Sequence, residues 1–336
     1  MPGNAFKTSI TSLLMGIIHR LRVLSASRRL FRNWLTAGIR YYMAKGGFLR
    51  VDSIGVVCRD GSKGLIPARA YGVLVNDYYD GYVTNYDCRE GIATYMNKVR
   101  VPIEEVRLRG SLGIVVRNGW VYDMVGRFWL RGNVRFRHVY RSILEVFDYG
   151  EYEPLGVEGR VVVDVGAFVG DSAIYFALKG ADRVIAVEPH PGAFFELLDN
   201  VKLNNLEGVI APVNAGLASK PGKVCVGDAD VSDTLVIYHR AGDCPNPVPV
   251  VTLGGLINRF GIDPNNAVLK MDCEGCEYDV ILNDYEHVRL FRELIFEYHS
   301  YTVNKPVSDL LNMLSRDYEC DVRGDEDLGT MHCIRK

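Results

Sequence analysis

The sequence predicts an α/β chain organised on a doubly wound, mostly parallel sheet, and three observations carry that prediction. Val161-Val-Val-Asp-Val165 is apolar apart from Asp164 and reads as a strand buried on both faces; Gly166-Ala-Phe-Val-Gly170 follows as a tight loop, and the next run has helical spacing at Ile174, Ala177 and Leu178. Arg183-Val-Ile-Ala-Val-Glu188 is a second buried strand, closing in an acid about twenty residues beyond the loop, the position that hydrogen-bonds ribose hydroxyls in this architecture. Ala267-Val-Leu-Lys-Met-Asp272 and Leu294-Ile-Phe-Glu-Tyr-His299 are further apolar runs with polar ends.

The chain is long enough for a full core and for two domains, with 336 residues and 48% hydrophobic content. A net charge of −2 gives the whole no polyanion-binding character, but the distribution is uneven. Residues 1–50 hold nine Lys and Arg and no acid, so the remainder carries −11. Such an arm is drawn to phosphate-bearing surfaces or to the protein's own acidic body.

Residues 1–47 form the basic arm. Leu14, Ile17, Ile18, Leu21 and Leu24, then Phe31, Trp34, Leu35, Ile39 and Tyr42, recur at helical spacing with arginines between them. These are two amphipathic helices and not a membrane span, since no uncharged apolar run approaches about 20 residues. A signal peptide is not expected either, because Leu13 to Ile18 is interrupted at once by His19-Arg20. Two readings stand for the stretch 13–43: peripheral contact with an anionic membrane surface, or docking onto the protein's own core or a second subunit.

Residues 48–140 read as a β-rich accessory domain. Ser53 to Cys58, Gly72 to Asn76, Gly113 to Arg117 and Trp120 to Val125 are short and β-branched, separated in part by Asp60-Gly61 and Asn118-Gly119, and Arg117-Asn-Gly-Trp120 is a hairpin signal. A small antiparallel sheet is the expectation. Tyr78, Tyr79, Tyr82, Tyr86 and Tyr95 suit either ordinary sheet packing or an aromatic-ligand surface.

Residues 141–336 carry the doubly wound sheet. A helix at Arg141 to Phe147 leads in, Ala193 to Leu203 is helical, and Val209 to Asn214 is a strand that Pro212 places at an edge or a strand end. Short strands at Lys223 to Val226 and Thr234 to Tyr238 follow, then a proline-rich route to Val251-Thr-Leu-Gly-Gly-Leu-Ile257. A helix from Val307 to Arg316 and strands through Tyr318–Val322 and Thr330–Arg335 end the chain.

The loop decides which nucleoside fits. A dinucleotide fingerprint needs a middle glycine so that the backbone can approach a pyrophosphate, and here Phe168 stands at the third position of the loop. A cofactor without phosphates, such as S-adenosylmethionine, needs instead one carboxylate for a cationic amino or sulfonium group and one for the ribose diol, which Asp164 and Glu188 supply.

Four motifs in this order, the Asp-Val-Gly-Ala-x-x-Gly loop at 164–170, Val-Glu-Pro-His at 187–190, Leu-Lys-Met-Asp-x-Glu-Gly-x-Glu at 269–277 and Phe-Glu-Tyr-His at 296–299, resemble the FkbM family of S-adenosylmethionine-dependent methyltransferases. The resemblance covers roughly residues 145–336. It implies a Rossmann-like, seven-stranded sheet whose last strand runs antiparallel, with cofactor contacts from Asp164, Gly166, Ala167, Phe168, Gly170, Asp171, Ser172, Glu188, Pro189, His190, Asn214 and Ala215. It also makes Glu145 and Tyr152 minor candidates near the cofactor, and turns the 222–252 insertion, with Ser232, Asp233 and Thr234, toward substrate.

Methyl transfer to a hydroxyl needs a proton acceptor or a metal that stabilises the alkoxide. Asp272, Glu274, Glu277, Glu297 and His299 are the catalytic candidates, with His299 the side chain whose intrinsic pKa best suits proton acceptance near neutrality; crowding among the acids is the alternative route to such a pKa. Asp272, Glu274 and Glu297 offer oxygens for Mg²⁺, which is not the favoured reading, and Lys270 is expected to neutralise the acidic group. No zinc is expected from Cys273 and Cys276, which lack a second pair. Eight scattered cysteines point by default to a reducing cytoplasm, without excluding the intracellular disulfides of heat-loving organisms.

The expected function is O-methylation of a hydroxyl on a small molecule, glycan or lipid-linked saccharide, in the cytoplasm or at the inner membrane surface. An RNA methyltransferase using the basic arm and a non-catalytic nucleoside-binding protein are the alternatives; the acidic character of the catalytic half speaks against the first, the intact motifs against the second.

Overall fold

Seven strands between Val161 and Arg335 build one sheet: β1 Val161–Val165, β2 Arg183–Val187, β3 Ile210–Val213, β4 Ala267–Met271, β5 Glu293–His299, β6 Tyr318–Gly324 and β7 Leu328–Arg335. The structure is a computed structural model that describes residues 4–106, 111–226, 239–240 and 247–336, with side chains from residue 15 onward and not at 239–240. The chain divides into two compact units, Met1–Arg141 and Ser142–Lys336.

In the second unit the sheet order is β3-β2-β1-β4-β5-β7-β6. The first five strands are parallel, and β7 runs antiparallel between β5 and β6. This is the mostly parallel, Rossmann-like sheet. Val162, Val163, Val184, Ile185, Val268 and Leu269 are wholly buried, so both faces are covered, and each such side chain contributes about 1.5–3 kcal/mol on burial. Chain direction along the sheet reverses between β1 and β4, and the crevice outside the carboxyl ends at such a reversal is where open α/β sheets hold ligands. Every residue of the loop and acidic motifs lies at that end.

The helices α1 Asp171–Leu178, α2 Pro191–Leu203, α3 Leu253–Phe260, α4 Cys276–Asn283 and α5 Val307–Leu314 complete the layers. Thr252 caps α3 by accepting from the Gly255 N–H at 3.1 Å. β3, with Pro212, lies at one edge of the sheet, where proline is tolerated within a strand. The segment Thr234 to Tyr238, expected as a strand, and Ser232, Asp233 and Thr234 lie outside the described residues.

The first unit departs from the sequence expectation in three places. Gly72 to Asn76 lies within a helix, Ala68–Tyr79, and Gly113 to Arg117 within another, Leu112–Arg117. Tyr71, Leu74 and Val75, like Leu112, Val115 and Val116, are buried at helical spacing, and this burial outweighs the strand preference of the β-branched residues. Asn118-Gly119 is therefore no hairpin turn. It ends the second helix, with Gly119 at φ +90°. In place of one sheet there are three small antiparallel ones, with two, three and three strands. Tyr86 and Tyr95 are buried while Tyr79 is exposed. The arm forms helices at Asn4–Ala26 and Trp34–Lys45, and Phe31 between them is buried and bridges Cys58.

Three disulfides, Cys58–Cys88, Cys273–Cys276 and Cys320–Cys333, are present among the described residues. Cys320 and Cys333 face each other directly across β6 and β7, which is how strand register brings them within bonding reach; no spacing pattern in the sequence announces it.

Candidate active site

The glycine loop is a set of backbone constraints before it is a binding surface. Gly166 has φ +73° and Gly170 φ +88°, and a Cβ on Gly166 would sit 1.7 Å from the Asp272 carbonyl oxygen. No other residue fits there. Phe168 is left-handed as well, at φ +45°, a conformation that costs a non-glycine residue about 1–3 kcal/mol and persists only where its surroundings impose it. What imposes it is visible: Gly166 and Ala167 donate to the Val187 carbonyl at 2.9 and 3.1 Å, and Phe168 N–H donates to Glu188 Oε2 at 2.9 Å.

Glu188, at the tip of β2, thus becomes part of the loop. Its other oxygen accepts from His190 N–H at 2.6 Å. Burial pushes its carboxyl up to about 7, against the pull of those two backbone bonds. Asn214 donates to the Glu188 and Pro189 carbonyls at 2.9 and 3.3 Å, fixing the ends of β2 and β3 together. His190 accepts from Ala193 N–H through Nδ1 at 3.2 Å, so it caps α2; Ala215 is buried in the core.

Asp164 does not face a ligand cation. It is wholly buried, lies 3.1 Å from Lys270 Nζ, and accepts from Ser172 Oγ at 2.8 Å. The cationic partner expected from a cofactor is supplied by the chain itself. Burial alone would lower the Lys270 pKa, but Asp164, Asp272 and Asp171 outweigh it and raise it. Nζ also donates to the Gly166 carbonyl at 2.8 Å, so one buried ammonium ties β4 to the β1 loop. Asp171, buried at the start of α1, is pushed up to about 6 by burial.

The catalytic candidates gather at the ends of β4 and β5. Glu277 is wholly buried; its Oε1 lies 2.9 Å from His299 N and 3.1 Å from His299 Nδ1, and its Oε2 accepts from Gly275 N–H at 3.0 Å. It holds the histidine and the turn. The other ring nitrogen of His299, Nε2, stands 3.5 Å from Glu297 and 3.6 Å from Glu274. Burial alone would lower the His299 pKa, yet the bonds to Glu277 and Glu297 and the Glu274 charge hold it at about 11. At neutral pH it is an imidazolium. An imidazole among three carboxylates is held toward its protonated form, which weighs against His299 as the proton acceptor.

The alternative route, crowding among the acids, concerns Glu274, Glu297 and Glu151. Glu274 is pushed up to about 7, first by burial and then by Asp272 and Glu297, with His299 pulling the other way. Its Oε2 is buried and lies 3.6 Å from His299 Nε2, an ion-pair distance just beyond hydrogen-bond reach, and its backbone is left-handed at φ +56°, followed by Gly275 at φ +114°. Glu297 is raised as well, by burial foremost. Glu151, not among the sequence candidates, belongs to the same group: burial, Asp272, Glu297 and Glu145 push it up to about 8. Tyr152 beside it is buried and its hydroxyl lies 3.4 Å from Asp272 Oδ2. Glu151 sits in a turn with no strand end to advertise it, and its proximity to Tyr152 was the one available signal.

Asp272, Glu274 and His299 bring ligand atoms within 4.8 Å of one another. For Mg²⁺ the expected set was all oxygen; here Glu297 is replaced by an imidazole already engaged by carboxylates. Cys273, Cys276 and Glu277 also lie together, but the two sulfurs are joined to each other.

Comparison with known proteins places this geometry. Residues 164–321 match the methyltransferase FkbM domain. The matched stretch contains the loop, both acidic strand ends, β2 to β5 and parts of β1 and β6. No curated protein sequence matches the chain. Among solved structures the chain is similar to an NADB-Rossmann superfamily protein from Streptococcus agalactiae, at 16% identity over 59% of this chain and 69% of that one, TM-score 0.35. An O-methyltransferase from Bacillus cereus in complex with SAH is 12% identical over 53% and 74%, TM-score 0.34. TrmK from M. capricolum, in complex with SAH, is 15% identical over 56% and 68%, TM-score 0.34.

Proposed function

We propose that this chain binds S-adenosylmethionine at the carboxyl ends of β1 and β2 and transfers its methyl group to a hydroxyl of a small molecule, glycan or lipid-linked saccharide. The supporting observation is Glu274: a carboxyl near neutral pKa whose buried Oε2 makes no hydrogen bond and faces only the His299 ring at 3.6 Å, on a strained turn.

The residues present suit a nucleoside without phosphates. Each Glu188 oxygen accepts one backbone N–H, and a carboxylate oxygen has a further lone pair for a diol hydroxyl. Phe168 occupies the position where a pyrophosphate requires glycine. When bound, S-adenosylmethionine supplies an electrophilic methyl on a positively charged sulfur. The chain supplies the rest. Glu274 carboxylate takes the acceptor's hydroxyl proton, which general-base catalysis requires of a group with pKa near the working pH. His299, protonated throughout, orients Glu274 and Glu297, and Glu277 holds His299.

Isothermal titration with S-adenosylmethionine and S-adenosylhomocysteine tests the first step, with binding expected for both and a loss of at least tenfold in Glu188→Ala. Transfer of labelled methyl to a panel of hydroxyl compounds, read by mass spectrometry, tests the second. Absence of heat with either compound overturns the cofactor reading, and a product methylated on nitrogen or carbon overturns the O-transfer reading.

A further inference from the structure

The basic arm leaves its apolar stripe uncovered. Val23, Leu30, Phe31 and Ala37 are buried in the first unit, but Met15, Ile17, Ile18, Leu21, Leu35, Ile39 and Met43 are exposed, and Phe48 just beyond is 83% exposed. Leu35, Ile39 and Met43 recur every four residues and so share one helix face. Isolated exposed apolar residues need no explanation, whereas a run of eight within 34 residues marks an interaction surface. Docking onto the protein's own core, one of the two sequence readings, accounts for the buried set alone.

Charge selects the occupant. Every side chain in residues 1–50 that is charged at neutral pH is a cation. Two copies meeting through this face would oppose like charges, which disfavours self-association. A surface of anionic lipid matches it in both respects, apolar depth and negative charge. The arm also carries a place for one lipid. A cavity of about 560 Å³ is lined by Ile17, Leu21, Leu24 and Phe48 with Arg20 and Lys45, an apolar groove with two cations. Among the described residues no helix is long and apolar enough to cross a membrane, so the contact is in the plane of the surface.

We propose that the arm docks the protein on an anionic membrane surface, its exposed stripe entering the headgroup boundary and one phospholipid seated with its phosphate between Arg20 and Lys45 and its chain along Ile17, Leu21, Leu24 and Phe48. This does not depend on the acceptor or on the methyl-transfer reading.

Cosedimentation of the full chain with vesicles tests it. Binding is expected to phosphatidylcholine vesicles containing phosphatidylglycerol, not to phosphatidylcholine alone, and should weaken as salt shortens the screening length. Leu21→Asp combined with Ile39→Asp should lower binding more than tenfold. Arg20→Gln combined with Lys45→Gln should lower it about fivefold per cation removed. All four residues are exposed, so circular dichroism and cofactor binding should be unchanged. Equal binding to neutral and anionic vesicles, or no binding, refutes the proposal. So does a dimer in sedimentation velocity, without vesicles, that the Leu21→Asp and Ile39→Asp pair converts to monomer, because that assigns the face to a second copy.

Discussion

Lys270→Met isolates the buried ion pair on which the β1 loop rests. Lys270 is 1% exposed, Asp164 is fully buried, and the two charges lie 3.1 Å apart. Methionine keeps the stem volume and removes the charge, leaving Asp164 with only the Ser172 hydroxyl at 2.8 Å. It also removes the donor to the Gly166 carbonyl. Breaking a buried pair by deleting one partner costs about 3–5 kcal/mol, because the other charge stays buried and uncompensated. For a unit of this size, about 2–4 °C per kcal/mol gives a fall in Tm of about 6–20 °C. Urea denaturation with linear extrapolation measures the loss, and Asp164→Asn on top of Lys270→Met should restore a good part of it. A loss under about 1 kcal/mol, or no rescue by the second substitution, would refute the argument that Asp164 and Lys270 stabilise each other. It would return Asp164 to the role of a ligand carboxylate.

Further expectations concern the acids, the loop and the cysteines. The methyl-transfer rate should rise with pH through about 7 as Glu274 loses its proton, and Glu274→Gln should abolish that limb and lower kcat about 10²–10⁴-fold; a limb that persists in the variant removes Glu274 as the base. Stability should fall as pH rises from about 6 to about 9. Glu188 and Glu151 hold protons in the folded state up to about 7 and about 8, above their unfolded values. His299, raised to about 11, contributes fully only below its unfolded value of 6.5 and loses that contribution as pH climbs toward 11. A urea midpoint that increases over that range would contradict the sign. Gly166→Ala should cost about 2–4 kcal/mol in the same assay, from overpacking and positive φ together. Removing Cys58–Cys88, which spans 30 residues, should destabilise its unit by about 4 kcal/mol. Removing Cys273–Cys276, which spans 3, should cost about 2 kcal/mol by the same loop-entropy argument.

The sheet was legible because its strands are continuous apolar runs closed by acids, and buried parallel strands leave little else to read. Asp164, Glu188, Asp272, Glu274, Glu297 and His299 were legible as positions at strand ends. The protonation of Glu274, Glu297 and His299 was not, since it depends on which charged groups the fold brings together there. The helices Ala68–Tyr79 and Leu112–Arg117 were misread because valine and isoleucine favour strands locally, while the burial that overrules them is decided by distant contacts. Cysteine pairing stayed hidden for a related reason: Cys58 and Cys88 meet through the fold and not through spacing.

The contact between Gly166 and the carbonyl of Asp272 joins two parts that chemistry assigns separate tasks. A displacement of one by even a fraction of an ångström must be matched by the other, because there is no slack between them. The glycine loop after β1 and the acidic turn after β4 therefore move as one piece, and a substitution that shifts either one is felt at the other.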